Sequence, residues 1–140
     1  MAVGASLSLK VRNARDAIGP ASEAAEAWLE RYRPSPEALY FVLLAIEEQV
    51  LNCIQYGYDD DGEHMIAVDL WVADGKVTMR LTDDGHAFDP LAVPAPNLSL
   101  GLEQRPAGGL GIYLLRELAD EIAYERRDGS NQLTLSKRMR

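Results

Sequence analysis

A chain of 140 residues with a formal charge of −8, one cysteine and two histidines suits one domain with a core of its own. That charge argues against nucleic acid as the main partner, since phosphate backbones are bound through clustered Lys and Arg, and the single Cys53 and two scattered histidines exclude an internal disulfide and a transition-metal constellation. The longest apolar run, Ala38 to Ile46, falls short of the roughly 20 residues that span a bilayer, and no basic-then-apolar leader opens the chain, so a soluble cytoplasmic protein is expected.

Leu7, Leu9 and Val11 alternate with polar neighbours and predict a first strand with one wet face. From Ala14 to about Tyr32, apolar residues recur at three- and four-residue steps between acids, which predicts an amphipathic helix that Gly19-Pro20 interrupts or restarts near its beginning. Ser35-Pro36-Glu37 then combines a capping side chain, a proline suited to the first helical position and an acid that complements the dipole. The second helix is expected from Pro36 to about Tyr56, ending near Gly57; it is apolar on nearly all sides and suits the centre of the fold. Asp59 to Glu63 reads as an acidic loop. Together with Glu23, Glu26 and Glu30, it contrasts with a basic C-terminal part, an asymmetry suited to steering a protein partner.

Met65 to Val72 and Lys76 to Thr82 read as strands joined by Asp74-Gly75, a two-residue hairpin signal. About 25 residues follow with four prolines and no sustained periodicity, longer than an idle connection and so expected to form an active-site lid. Leu110 to Ala119 predicts a short helix. Glu121 to Arg127 is expected to pair with Gln132 to Arg138 across Asp128-Gly129-Ser130-Asn131.

Three stretches carry the chemistry. Glu48 and Asn52 stand at i, i+4 on a helix otherwise rich in apolar residues, which puts an acid and a carboxamide on one face, one turn apart. Asp83-Asp84-Gly85-His86-Ala87 follows a strand, and Gly108-Gly109-Leu110-Gly111 precedes a helix. In this order and spacing they resemble the N, G1 and G2 boxes of the gyrase, heat-shock chaperone, histidine kinase and MutL (GHKL) ATPase superfamily. Within it, the likeness is to the small bacterial anti-sigma-factor serine/threonine kinases of partner-switching systems. It runs from about Ser6 to Lys137.

The resemblance implies a single ATP-binding kinase domain over residues 1–140, with ATP and Mg2+ bound between helices and lid. Its fold would be an α/β two-layer sandwich of the GHKL (Bergerat) type, a mixed, largely antiparallel sheet covered on one face by helices. Asn52 is implied to hold Mg2+, which takes few protein oxygens, and Glu48 to be the general base. Asp83 suits acceptance of the adenine amine proton, while Gly85 lets backbone approach the ring. Ala87 stands where the superfamily usually has a second glycine. Gly108, Gly109, Leu110 and Gly111 offer unhindered N–H groups and a helix N-terminus to phosphate, and Arg105 is a candidate clamp on the terminal phosphate. Tyr56 departs from the histidine these kinases often carry four residues after the box asparagine.

The implied function is an anti-sigma factor that phosphorylates a STAS-domain antagonist and sequesters a sigma factor, working as a homodimer. The alternative is a nucleotide-gated binding module with little turnover. The catalytic half of a histidine kinase is disfavoured, because neither His64 nor His86 falls on a predicted helix.

Overall fold

The computed structural model describes residues 6–94 and 109–140. Five strands form one sheet: β1 (Leu7–Arg12), β2 (Met65–Ala73), β3 (Lys76–Asp83), β4 (Glu121–Arg127) and β5 (Ser130–Arg138), in the order β1-β2-β3-β5-β4. All four pairings are antiparallel, so among the described residues the sheet has none of the parallel pairing that a mixed one would include. Both hairpins turn on two residues with positive φ, Asp74 (54°) with Gly75 (75°) and Asp128 (52°) with Gly129 (79°). That geometry follows the right-handed twist of the strands it joins.

The register lines up Leu9, Val68, Leu81, Leu133 and Tyr124 in one row, and Leu7, Leu70, Met79, Leu135 and Ile122 two residues further along. Side chains alternate across a strand, so both rows share one face, and it is this face that joins the buried core. The opposite face carries Ser8, Asp69, Arg80 and Thr134, with the Ser8 hydroxyl donating to Asp69 at 2.7 Å.

Helices cover the apolar face: α1 (Ile18–Glu30), α2 (Pro36–Asn52) and α3 (Gly109–Leu118). A short 3-10 turn, Arg15–Ala17, leads into α1, and Pro20 sits within the first turn of α1, where its missing N–H would have had no intrahelical acceptor. The expected interruption at Gly19-Pro20 is therefore an entry to the helix.

Helix α2 begins as its sequence dictates: the Ser35 side chain accepts from Ala38 N–H at 3.1 Å, with Pro36 at the first position and Glu37 in the first turn. It packs against α1, α3 and the central strands β3 and β5. Phe41, Val42, Ala45, Ile46 and Val50 are all fully buried, each large one worth about 1.5–3 kcal/mol of burial. Beyond Asn52 the helix widens into a π turn, Cys53–Gly57. Among the described residues no helix is long and apolar enough to cross a membrane.

The C-terminal hairpin departs from its expected boundaries. Ser130 and Asn131 belong to β5 and only Asp128-Gly129 forms the turn, so Asn131 faces Asp83 across the β3–β5 ladder. Of the expected lid, residues 83–94 are described and include a 3-10 turn at Pro90–Ala92 capped by the Asp89 side chain; the remainder lies outside the described residues.

Candidate functional site

The end of α2, its π turn, the loop after β3 and the start of β5 meet at one end of the sheet. Gln49, Asn52, Asp83 and Asn131 are polar and yet only 5–8% exposed. Buried polar groups are costly unless paired, so the partners of each decide what it can do.

The Asp83 carboxylate has three nitrogen donors among the described residues: the Gly85 N–H (2.9 Å) and the Asn131 amide (3.0 Å) at Oδ1, and the Gln49 amide (2.9 Å) at Oδ2; the Cys53 thiol is a further, weak donor. Asn131 is in turn fully engaged. Its amide also donates to the His86 carbonyl at 2.8 Å, and its Oδ1 accepts from the Tyr124 hydroxyl at 2.5 Å and from Arg126 at 3.1 Å. Arg126 also donates to the Gly85 carbonyl at 2.7 Å. Gln49, Asn131 and Arg126 thus fix Asp83 and its loop from three elements, although the sequence reading gave none of them a role.

Gly85 is dictated by a close approach. A Cβ there would lie 2.7 Å from the Gly57 carbonyl oxygen and 3.0 Å from its Cα, and the same carbonyl accepts from His86 N–H at 2.8 Å. The loop after β3 is docked backbone to backbone on the π turn. Ala87 is exposed and points no side chain into the cavity formed here.

That cavity, about 20 Å³, is lined by Gln49, Asn52, Cys53, Asp83 and Asn131, with the Tyr56 and Phe88 rings beside them. The two rings are nearly parallel, 8° apart with centroids separated by 6.3 Å. The volume suits about one water molecule, so a purine enters only if these rings part. Among the described residues nothing hydrogen-bonds the Asn52 carboxamide, which leaves its oxygen available to a cation or phosphate-bound water. Burial, and then the charge of Asp83, push the Cys53 thiol upward, which keeps it protonated and unreactive.

Glu48 lies elsewhere. A Cβ on Gly111 would sit 1.2 Å from Glu48 Oε1, so the carboxylate occupies the space a side chain at 111 would need, in the first turn of α3. Glu48 is half-buried, and its carboxyl is raised above the ordinary value of 4.5 by burial and then by neighbouring Glu47. The structure therefore joins Asn52 and Asp83 in one cavity, with Gly85 behind it holding Asp83 through its N–H, and sets Glu48 against the glycine-rich start of α3. There Gly109, Leu110 and Gly111 form the first turn, with Leu110 37% exposed. Arg105 and Gly108 lie outside the described residues.

The family model for a histidine kinase-like ATPase domain matches residues 11–137. A serine/threonine-protein kinase, BtrW of Bordetella bronchiseptica, is 30% identical over 113 residues, 78% of this chain and 80% of that one. The anti-sigma F factor of Clostridium botulinum is 24% identical over 102 residues, covering 73% of this chain and 71% of its own. The fold is shared with a crystal structure of the RsbU and RsbW domains of Rv1364c from Mycobacterium tuberculosis, at a TM-score of 0.68 and 21% identity; the match covers 97% of this chain and 33% of that one.

Proposed function

Because the chain belongs to the histidine kinase-like ATPase domain family, we propose that it is an ATP-dependent serine/threonine kinase and anti-sigma factor. In this reading it phosphorylates a STAS-domain antagonist, sequesters a sigma factor, and works in the cytoplasm as a homodimer of one ATP-binding domain. The observation that carries the nucleotide part is the buried Asp83 carboxylate, which faces the same cavity as the Asn52 carboxamide, to which nothing among the described residues hydrogen-bonds. An acceptor-only group beside an uncommitted amide oxygen fits a purine amine and a magnesium-bound phosphate chain. The relatives named as a kinase and an anti-sigma factor support the rest.

In the proposed chemistry bound Mg-ATP supplies the phosphoryl group. Asp83 accepts the exocyclic amine of the base, Asn52 gives its amide oxygen to Mg2+, and the N–H groups opening α3 face the phosphates. Glu48 takes the proton of the attacking serine or threonine hydroxyl. That oxygen bonds to the γ-phosphorus as the bond to the β-phosphate bridge breaks and ADP leaves. Transfer of labelled γ-phosphate to STAS-domain proteins tests the assignment, and absence of transfer in the presence of ATP binding would leave the nucleotide-gated module as the function. The small cavity favours that second reading to this extent: base entry must move Tyr56 and Phe88 and so reshape the surface.

Asp83→Asn should lower ATP affinity by about 10- to 100-fold, since a hydrogen bond to a charged acceptor is lost, while Asn52→Ala removes the magnesium-dependent part of that affinity. Calorimetric titration with and without Mg2+ measures both, and unchanged affinity in a folded Asp83→Asn protein refutes the base contact.

The raised Glu48 carboxyl gives a pH signature. As pH falls through its raised value the base is protonated, so transfer should decline at a pH above 4.5, and Glu48→Gln should lack that limb. Stability has the matching sign: protonated Glu48 favours the folded state below the ordinary carboxyl value, and this contribution is lost as pH rises through the raised one. Urea midpoints of parent and Glu48→Gln across that range check it.

A further inference from the structure

The donors around Asp83 leave its two oxygens unequal. Of the nitrogen donors, two reach Oδ1, from Gly85 and Asn131, whereas one reaches Oδ2, from the Gln49 amide; the Cys53 thiol is a further, weak donor to the carboxylate. A carboxylate oxygen offers two lone pairs, so a ligand amine finds its place on Oδ2, next to Gln49. The second N–H of that amide meets, among the described residues, the Cys53 sulfur alone, at 3.8 Å, a weak acceptor. Among the described residues nothing donates to Gln49 Oε1. Gln49 stands 8% exposed on a helix whose buried positions, Asn52 apart, are apolar, so packing alone does not call for an amide.

We propose that Gln49 is a second base-reading residue, whose Nε2 donates to a ring nitrogen flanking the amine that Asp83 accepts. The proposal rests on the ATP-binding reading above and adds a specificity determinant to it. In a 6-aminopurine the amine is flanked by two acceptors, N1 and N7. The acceptor Oδ2 and the donor Nε2, side by side, complement that edge. A 6-oxopurine in the same pose sets a carbonyl oxygen against the carboxylate, and its protonated N1 matches no donor. Where that nitrogen is N1, Gln49 discriminates against the 6-oxo bases together with Asp83; where it is N7, which accepts in both kinds of purine, Gln49 adds affinity and the discrimination rests on Asp83.

Deaza nucleotides isolate this contact, because 1-deaza-ATP and 7-deaza-ATP keep the amine and each replaces one flanking nitrogen by C–H. In calorimetric titration of the whole chain, the parent should bind one of the two about 3- to 10-fold more weakly than ATP, the worth of one neutral hydrogen bond. Gln49→Met should bind that analogue and ATP alike, whereas a residue that only props Asp83 would weaken all three equally. Should the Met variant not fold, Gln49→Asn, with its amide one methylene short, takes its place. Parental affinity for both analogues equal to that for ATP overturns the proposal, as does a deaza penalty that persists in the variant. A parent that binds no ATP brings down the underlying reading too, while ATP binding sensitive to Asp83→Asn alongside a persistent penalty overturns the role of Gln49 alone.

Discussion

Glu48→Gln is expected to keep the fold and ATP binding and to slow phosphoryl transfer by roughly 10²- to 10⁴-fold, the worth of a positioned general base. The substitution preserves size and removes only the proton-accepting charge. Single-turnover transfer at saturating ATP and antagonist is the deciding measurement, because it takes binding out of the comparison. A companion variant reaches the same group from the other side: Gly111→Ala places a methyl 1.2 Å from the Glu48 carboxylate and forces it out of position without altering its chemistry. Both proteins should therefore share the transfer defect. Near-parental transfer by Glu48→Gln removes Glu48 from the mechanism, and joint loss of fold and ATP binding assigns it to holding α3 in place.

Gly85→Ala should lower ATP affinity at least tenfold and destabilise the protein by about 1–3 kcal/mol, the usual cost of forcing atoms into a packed site. The new methyl meets backbone, 2.7 Å from the Gly57 oxygen and 3.0 Å from its Cα, so no side-chain rotation relieves it. The loop must lift from the π turn, loosening the His86 N–H bond to Gly57 and the Gly85 N–H bond to Asp83. Gly19→Ala is the control, since a Cβ there meets nothing within 4 Å and a helical Gly-to-Ala change is neutral or favourable. Urea midpoints and calorimetric ATP titration measure the pair, and parental values for Gly85→Ala would show that the docked loop is not required.

Local chemistry made much of the fold legible. The β2–β3 turn was written in Asp74-Gly75, and the start of α2 in Ser35-Pro36-Glu37, because each signal acts over a few residues. The second hairpin was misplaced by two residues since Ser130 and Asn131 are turn formers by type. In the fold Asn131 is held in a strand by what its amide reaches, a carboxylate 48 positions earlier, and such a long-range demand leaves no local trace. The site divides likewise. Motif spacing places Asn52, Asp83 and Gly85 together, whereas Gln49, between Glu48 and Asn52, belongs to no motif. A glutamine amid buried apolar positions, one turn before Cys53, was the signal available. Nothing in the spacing of Glu48 and Asn52 told that one would face α3 and the other the cavity, for their common helical face is shared between two neighbours.

The wide turn at Cys53–Gly57 also sets a length standard. Each residue of a helical turn carries roughly a quarter of a turn of rotation, so gain or loss of one residue between Asn52 and Gly57, with the wide turn kept, would swing Gly57 by about that much away from the loop that docks on it. Asn52, upstream, would not move. Insertions and deletions among relatives should therefore gather in the exposed acidic segment Asp59–Glu63, and the interval from Asn52 to Gly57 should keep its length even where the residues within it change.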